Sequence, residues 1–334
     1  MNWLSGDTLA LIFAGLTAFS ILLYAMLDGY DLGVGISLPM NNEAWRDTAI
    51  ASIGPFWDAN ETWLVLAVGL LLVAFPAAHS AILKALYLPA TCLLIGLILR
   101  GVAFDFRAKV KPNRKYRWDY VFKIGSIIAA FSQGFMLGIY VVGLEYTLGS
   151  VIFALFSGLC VTAAYALIGN AWLILKTTGD FLRVSIRQCK KAGMLALAGI
   201  ISVSMINPLV NANVYQVWTE PPFAYFFALI PTVCFVMFAL GYNALKLLEI
   251  SGDDRAAQPF FICCTIFLTC FVALAISFYP YVVPNQLTLY EAASAPESLN
   301  IIFMGALFVI PVIAGYTAFS YYAFRGKAEG LNYY

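Results

Sequence analysis

Apolar residues dominate the chain in nine long stretches, which short polar segments separate. Each stretch contains about the twenty residues that an α-helix needs to cross the hydrocarbon core of a bilayer. The pattern therefore predicts an all-α integral membrane protein with nine transmembrane helices, which form a single polytopic membrane domain over residues 1–334. The predicted helices cover residues 8–27, 55–76, 81–103, 121–143, 152–175, 192–210, 223–247, 260–279 and 300–323.

Composition and charge fit a membrane protein. Of the 334 residues, 62% are hydrophobic and 11% are charged, whereas a soluble domain contains about 25% charged residues. The polar segments between the predicted helices are too short to fold as a separate globular domain. The net charge of +1 also excludes the strongly basic surface that a nucleic-acid-binding protein presents.

Lysine and arginine residues predict the orientation of the helices. The segments that follow the first, third, fifth, seventh and ninth predicted helices contain basic residues. The alternate segments, near 77–80, 144–151, 208–222 and 280–299, contain none. Because basic loops stay in the cytoplasm, the N-terminus is expected outside and the C-terminus in the cytoplasm.

The histidine content limits the cofactors that the chain could bind by itself. His79 is the single histidine, so the chain cannot supply both ligands of a bis-histidine haem. The seven cysteines include no C-x-x-C pair, and no phosphate-binding or dinucleotide-binding motif is present. If the protein takes part in redox chemistry, we expect the cofactors in a partner.

Two acidic residues interrupt the start of the second predicted helix. The segment Gly54–Trp63 reads Gly-Pro-Phe-Trp-Asp-Ala-Asn-Glu-Thr-Trp and places Asp58 and Glu61 one helical turn apart. An ionised carboxylate in hydrocarbon is costly unless it is paired, hydrated or neutralised. Asp58 could act only as a charge that stabilises the helix N-terminus, but Glu61 lies a turn deeper. We therefore favour a role of this segment in proton transfer.

A second polar motif leaves the first predicted helix on the cytoplasmic side. Asp28 and Asp31 in the segment Leu27–Gly35 share one face if the helix continues through them. The three glycines of this segment indicate either a turn or a close approach of backbones. A solvated helix end is the simpler interpretation, but two acids at a helix C-terminus oppose the helix dipole.

The third polar motif, Leu99–Arg107, returns to the same face at the end of the third predicted helix. Arg100 lies about one turn inside the apolar boundary, so its side chain either extends outward to water or pairs with one of the acids named above. A buried arginine normally needs such a partner. The three motifs are therefore expected to converge on one cytoplasmic pocket.

Together these motifs resemble those of subunit II of cytochrome bd-type terminal quinol oxidases. The segments Leu27–Gly35, Gly54–Trp63, Leu99–Arg107 and Ser277–Asn300 occur in the family's order along the chain. The short length and the Ala-Asn-Glu sequence resemble the branch called cyanide-insensitive oxidases. Many relatives have glutamine where this chain has Glu61.

The resemblance implies a complex in the bacterial cytoplasmic (inner) membrane. Its larger subunit I carries the b- and d-type haems and oxidises quinol, and the complex reduces oxygen to water with protons from the cytoplasm. Subunit II has no haem ligands of its own, and its helices form two four-helix bundles plus one extra helix. Some members hold a structural quinone in subunit II, and small accessory membrane subunits are compatible with this assembly.

The resemblance also implies roles for individual residues. Asp58 is expected to take up protons, while Trp57 and Trp63 shape the subunit interface or an oxygen route. No catalytic residue or metal ligand is expected in this chain. The residues expected to support Asp58 are Asp28, Asp31, Glu61, Arg100 and Asp105.

A proton-coupled secondary transporter that uses Asp58 and Glu61 is the main alternative, and a purely scaffolding subunit is a third. Transporters often have inverted repeats and helices that are broken near the bilayer midplane. Here the polar residues gather near one membrane face, which favours the oxidase subunit.

Overall fold

In the computed structural model, which describes residues 4–252 and 255–328, the chain is almost entirely helical. Nine helices in this part of the chain are long and apolar enough to cross a membrane, which confirms the predicted fold class and number of spans. The elements in chain order are α1 (Gly6–Ile36), α2 (Glu43–Ile53), α3 (Trp57–Ala74), α4 (Pro76–Lys109), α5 (Pro112–Val141), α6 (Leu148–Lys176), α7 (Gly179–Val210), α8 (Ala212–Thr219), α9 (Phe223–Ser251), α10 (Gln258–Phe278), β1 (Tyr281–Val283), β2 (Leu287–Thr288), α11 (Leu289–Ala292) and α12 (Pro296–Ala323). The elements too short to span are α2, α8, β1, β2 and α11.

Several spanning helices extend well beyond the apolar stretches that predicted them. α1 continues to Ile36 instead of ending at residue 27, and α7 begins at Gly179 instead of residue 192. Backbone hydrogen bonds do not require apolar side chains, so a helix can continue into polar surroundings. The loop expected near 77–80 is wrong, because α4 already begins at Pro76, where proline's fixed φ suits a first helical residue.

Glycines let α1 pack directly against the backbone of α6. A Cβ atom added to Gly33 would lie 1.8 Å from the Tyr165 carbonyl oxygen, and one added to Gly169 would lie 2.2 Å from the Gly33 carbonyl carbon. Small residues permit such close helix contacts inside membranes. The glycines of the Leu27–Gly35 segment therefore provide a close backbone approach, and the alternative of a turn is wrong because α1 is helical throughout.

We expect Gly33→Ala to destabilise the fold, because the added methyl group has no room between α1 and α6. Overpacking of a dense core costs about 1–3 kcal/mol, so the detergent-solubilised protein should unfold at a lower temperature. Gly15→Ala is the matched control, since no atom lies within 4 Å of its added Cβ. Equal unfolding temperatures for the two variants would contradict this account of the packing.

One side of the first turn of α3, at Ala59 and Asn60, is buried next to α1. α3 has only 18 residues, which corresponds to a length of about 27 Å. Asn60 in this turn donates a hydrogen bond to Asp31, which precedes the end of α1 at Ile36 by five residues. No side chain caps α3 at Phe56, so the positive end of its dipole adjoins these polar residues.

A small hairpin lies between α10 and α12. β1 and β2 pair antiparallel, and Tyr140 of α5 donates a 2.9 Å hydrogen bond to the Val282 carbonyl. The backbone N–H and hydroxyl of Thr288 donate to the Glu291 carboxylate at 3.0 and 2.8 Å. These hydrogen bonds stabilise the ionised form and lower the pKa of Glu291. The hairpin and α11 thus form an ordered connection between α10 and α12.

Candidate functional site

Arg100 joins acidic residues from two other helices in the interior. Its Nη2 atom lies 2.7 Å from the Asp28 Oδ1 atom and also contacts the Glu61 carboxylate. The Arg100 side chain is 1% exposed and that of Asp28 is fully buried, whereas the Glu61 side chain is 28% exposed. Of the two interpretations of Arg100, pairing is therefore observed. The ion pairs connect α1, α3 and α4 at one end of the bundle.

A hydrogen-bond network centred on Asn60 lies beside these ion pairs. The Asn60 Nδ2 atom donates to Asp31 Oδ2 at 2.8 Å and lies 3.0 Å from the Tyr30 hydroxyl. The Tyr321 hydroxyl of α12 donates to Asn60 Oδ1 at 3.2 Å and lies 2.6 Å from the Tyr30 hydroxyl. Asn60 of α3 thus holds the Asp31 carboxylate and also contacts a tyrosine of α1 and a tyrosine of α12.

The acid cluster, as we call it, contains more acidic than basic groups, and some of its polar atoms have no hydrogen-bond partner among the described residues. The members are Asp28, Asp31, Asn60, Glu61 and Arg100. Three carboxyl groups face one guanidinium group, so full ionisation would leave two unbalanced negative charges. Asp28 Oδ2, Asp31 Oδ1 and the Arg100 Nε and Nη1 atoms have no hydrogen-bond partner among the described residues. Because unbalanced buried charge is costly, the acid cluster suits a site that binds and releases protons.

Two of the acids predicted for the site lie outside the acid cluster. Asp58 and Asp105 are exposed, and neither forms an ion pair or hydrogen bond with the part of the chain that the structure describes. Asp58 precedes Glu61 by one turn of α3, so it lies between the exposed surface and the acid cluster. Asp105 follows Arg100 by more than a turn of α4 and is not brought to it.

The two predicted tryptophans occupy different environments on α3. Trp57 is half-buried and its ring lies 5.1 Å from that of Phe104 on α4. Trp63 is buried and meets Phe19 of α1 edge-on, with 5.9 Å between ring centroids. Its Nε1 atom has no partner among the described residues. Trp63 is therefore a core residue of this chain, and Trp57 lies nearer its surface.

Sequence reasoning missed the tyrosines of the network. Tyr30 lies between the two aspartates of the Leu27–Gly35 motif. Its ring stacks on that of Trp172 with 4.2 Å between centroids, and nothing in the sequence indicates this contact. Tyr321 lies near the end of a helix that is otherwise apolar, where tyrosine is usual at a membrane interface. Its contact with Asn60 joins residues 261 positions apart and could not be read from local pattern.

A second group of charges lies near the same end of the bundle. Arg46 and Arg107, which belong to the basic segments after the first and third predicted helices, are buried within α2 and α4. Both donate to the buried Asp119 of α5, from Arg46 Nε at 2.7 Å and from Arg107 Nε at 2.5 Å. Arg107 Nη2 also lies 2.5 Å from Asp47 Oδ1. These pairs tie together three helix ends and are distinct from the acid cluster.

Within residues 4–252 and 255–328, no group of three or more histidine, cysteine, aspartate or glutamate residues has the arrangement of a metal site. His79 lies half-buried in the first turn of α4.

Comparisons with known proteins agree with the motifs. The family model described as cytochrome bd terminal oxidase subunit II matches residues 9–324. The chain is 28% identical over 325 residues to cytochrome bd ubiquinol oxidase subunit 2 of Bacillus subtilis (strain 168), covering 92% of this chain and 93% of that protein. It is 25% identical over 349 residues to cytochrome bd-I ubiquinol oxidase subunit 2 of Escherichia coli (strain K12), covering 91% of each.

The fold has a match among solved structures. A chain in the structure of bd oxidase from Geobacillus thermodenitrificans aligns with a TM-score of 0.72 at 17% identity, over 92% of this chain and 97% of that chain. With the nine apolar helices of the described residues, the bacterial relatives identify a multi-pass protein of the bacterial inner membrane. The family match covers nearly the whole chain and confirms the resemblance in the motifs. The chain therefore belongs to the cytochrome bd terminal oxidase subunit II family.

Proposed function

We propose that this chain is the haem-free subunit II of a bd-type quinol:oxygen oxidoreductase, and that it stabilises the haem-bearing subunit I and delivers cytoplasmic protons to the oxygen-reduction site. The observation that carries the proposal is the buried pairing of Arg100 with Asp28 and Glu61, one helical turn from the exposed Asp58. Intramembrane ionisable groups of this kind are costly and usually functional.

The proposed orientation places the acid cluster on the cytoplasmic side. The segments that follow α4, α6 and α12 contain lysine or arginine, and such segments face the cytoplasm. We group the spans as two four-helix bundles plus one extra helix, and assign α12 as the extra helix. The most apolar part of α12 contains no buried residue, as suits a helix at the periphery of the subunit.

The proposed proton route begins at Asp58 and passes through Glu61. The partly exposed Glu61 carboxylate can exchange a proton with the surface side, and its contact with Arg100 links it to Asp28. Asp31 lies three residues further along the same face of α1, and Asn60 holds its carboxylate. The residues of this chain therefore hold and pass protons, while oxygen reduction takes place in the partner.

The outer face of α3 is our proposed contact with subunit I. Asp58, Thr62 and Val65 are exposed on this helix, and a polar, ionisable helix face is poorly suited to lipid. Contact with a protein partner would cover Asp58 and pass its proton onward. The haems belong to that partner, because the single His79 of this chain cannot provide two axial ligands.

Purification of the chain from its native membrane tests this assignment. We expect it to co-purify with a haem-bearing subunit that has quinol oxidase activity, and to be colourless when it is separated from that subunit. A chain that is found without a haem-bearing partner would contradict the proposal. In that case, substrate-driven proton uptake into liposomes that contain this chain alone would favour the secondary transporter.

A further inference from the structure

Lys176, the last residue of α6, has an unusual environment for a lysine. It is 4% exposed, and its Nζ atom donates hydrogen bonds to the carbonyls of Phe324 and Gly326 at 2.6 and 2.9 Å. The ammonium group also lies 5.3 Å from the ring centroid of Phe56 and 5.0 Å from that of Trp172. Its partners in the described part of the chain are thus carbonyls and aromatic rings.

These contacts hold the end of α12 against the bundle. Phe324 follows α12 directly, and the backbone N–H of Ala328 donates to the Lys176 carbonyl at 2.9 Å. One turn before Phe324, the ring of Tyr321 stacks on Phe56 with 4.7 Å between centroids. Phe56 therefore contacts both the lysine and the tyrosine that reaches the acid cluster.

The rest of α12 gives Tyr321 little support. Large side chains along the helix are exposed, including Ile301, Phe308 and Val312 at 75%, 73% and 70%. The Tyr321 hydroxyl nevertheless reaches Asn60, the residue that holds Asp31. The position of this hydroxyl must therefore be fixed by contacts at the same end of the helix. These are its 2.6 Å contact with the Tyr30 hydroxyl, the hydrogen bond from Ser320 to the Pro55 carbonyl, and the Lys176 hydrogen bonds just after α12.

We propose that Lys176 is a positioning residue for the acid cluster: it clamps the end of α12 so that the Tyr321 hydroxyl keeps Asn60 oriented toward Asp31. This inference rests on the proposed proton route. The lysine touches no member of the acid cluster and acts through the rings of Phe56 and Trp172 and through the backbone after α12. Loss of the clamp should therefore have the same effect on proton delivery as loss of the Tyr321 hydroxyl.

A double-mutant comparison in the purified complex tests the clamp. Lys176→Met and Tyr321→Phe should each lower quinol oxidase turnover, by about 10-fold as for other groups that orient a functional side chain, and displace its pH profile equally. The double variant should be no slower than either single variant, because both changes break one chain of contacts. Lys176→Arg, which keeps the charge and the donors, should restore most of the turnover.

Lys190→Met is the matched control. Lys190 also lies over an aromatic ring, 5.6 Å from the centroid of Tyr242, and pairs with Glu249 at 2.8 Å. It joins α7 and α9, away from the acid cluster, so its loss should leave the pH profile unchanged. Haem content, measured from the visible spectrum, shows that each complex has assembled.

Three outcomes would overturn the clamp: a wild-type pH profile in Lys176→Met, multiplicative effects in the double variant, or an equal effect of Lys190→Met. If Lys176→Met does not assemble, Lys176→Gln, which keeps an uncharged NH2 donor group, replaces it. Failure of that variant to assemble also overturns the proposal. A slow Tyr321→Phe with a normal Lys176→Met refutes the clamp and leaves the proton route standing. Normal turnover in both Tyr321→Phe and Asp58→Asn refutes the route itself.

Discussion

An Arg100→Gln variant is expected to lose most of its oxidase turnover and to assemble less haem-containing complex than the wild type. Glutamine leaves the buried Asp28 carboxylate and the partly buried Glu61 carboxylate without their common cation. Removal of one partner from a buried ion pair costs about 3–5 kcal/mol. The variant must therefore either unfold locally or bind additional protons, and both changes interrupt proton delivery.

Haem content per complex and oxygen consumption with quinol measure this effect. Arg100→Lys should fall between wild type and Arg100→Gln, because an ammonium group keeps the charge but not the planar guanidinium geometry. Arg183→Gln is the control, since Arg183 pairs with Asp180 at 3.5 Å while both side chains are largely exposed. Wild-type haem content and turnover in Arg100→Gln would show that the buried acids do not depend on Arg100.

The second large effect is expected from Asp58→Asn, which should lower turnover while the haem spectrum stays unchanged. An amide keeps the shape of the side chain but cannot carry a proton, and loss of a proton-transferring group typically costs about 100-fold or more in rate. Asp58 is exposed and forms no ion pair within the described residues, so the fold of this subunit should tolerate the change.

Glu43→Gln provides the matched control for Asp58. Glu43 is an exposed acid in the first turn of α2, at the same end of the bundle, and has no place in the proposed route. Its amide variant should turn over at the wild-type rate. Full activity of Asp58→Asn with an unchanged spectrum would remove Asp58 from the route, and equal losses in both variants would indicate a nonspecific effect of surface charge.

The sequence predicted those parts of the site that depend on helix periodicity and charge. Asp28 and Asp31 share a face because α1 is helical through both residues, and Arg100 pairs with an acid because a buried guanidinium needs one. Hydropathy located the nine apolar stretches but not the helix ends, since polar residues continue a helix once it leaves the hydrocarbon. The loop expected near 77–80 is absent for a different reason, because Pro76 already begins α4.

Contacts between segments that are distant along the chain could not be predicted from the sequence. Tyr321 meets Asn60 only because α12 returns to the first turn of α3, and no local pattern encodes that meeting. The segments that contain Arg46 and Arg107 counted only as basic loops, because Asp119, the buried acid that both residues contact, lies on another helix. The roles of Asp58 and Asp105 remain predictions, because the surroundings of an exposed acid depend on a partner subunit.

Proton uptake during a single turnover tests the central claim most directly. The fully reduced complex is mixed with oxygen in the presence of a pH-indicating dye, and haem oxidation is followed in the same experiment. We predict that Asp58→Asn takes up protons about 100-fold more slowly than wild type, while Glu43→Gln does not differ from it. Proton uptake at the wild-type rate in Asp58→Asn, with the haem spectrum intact, would contradict the claim that this chain delivers the protons.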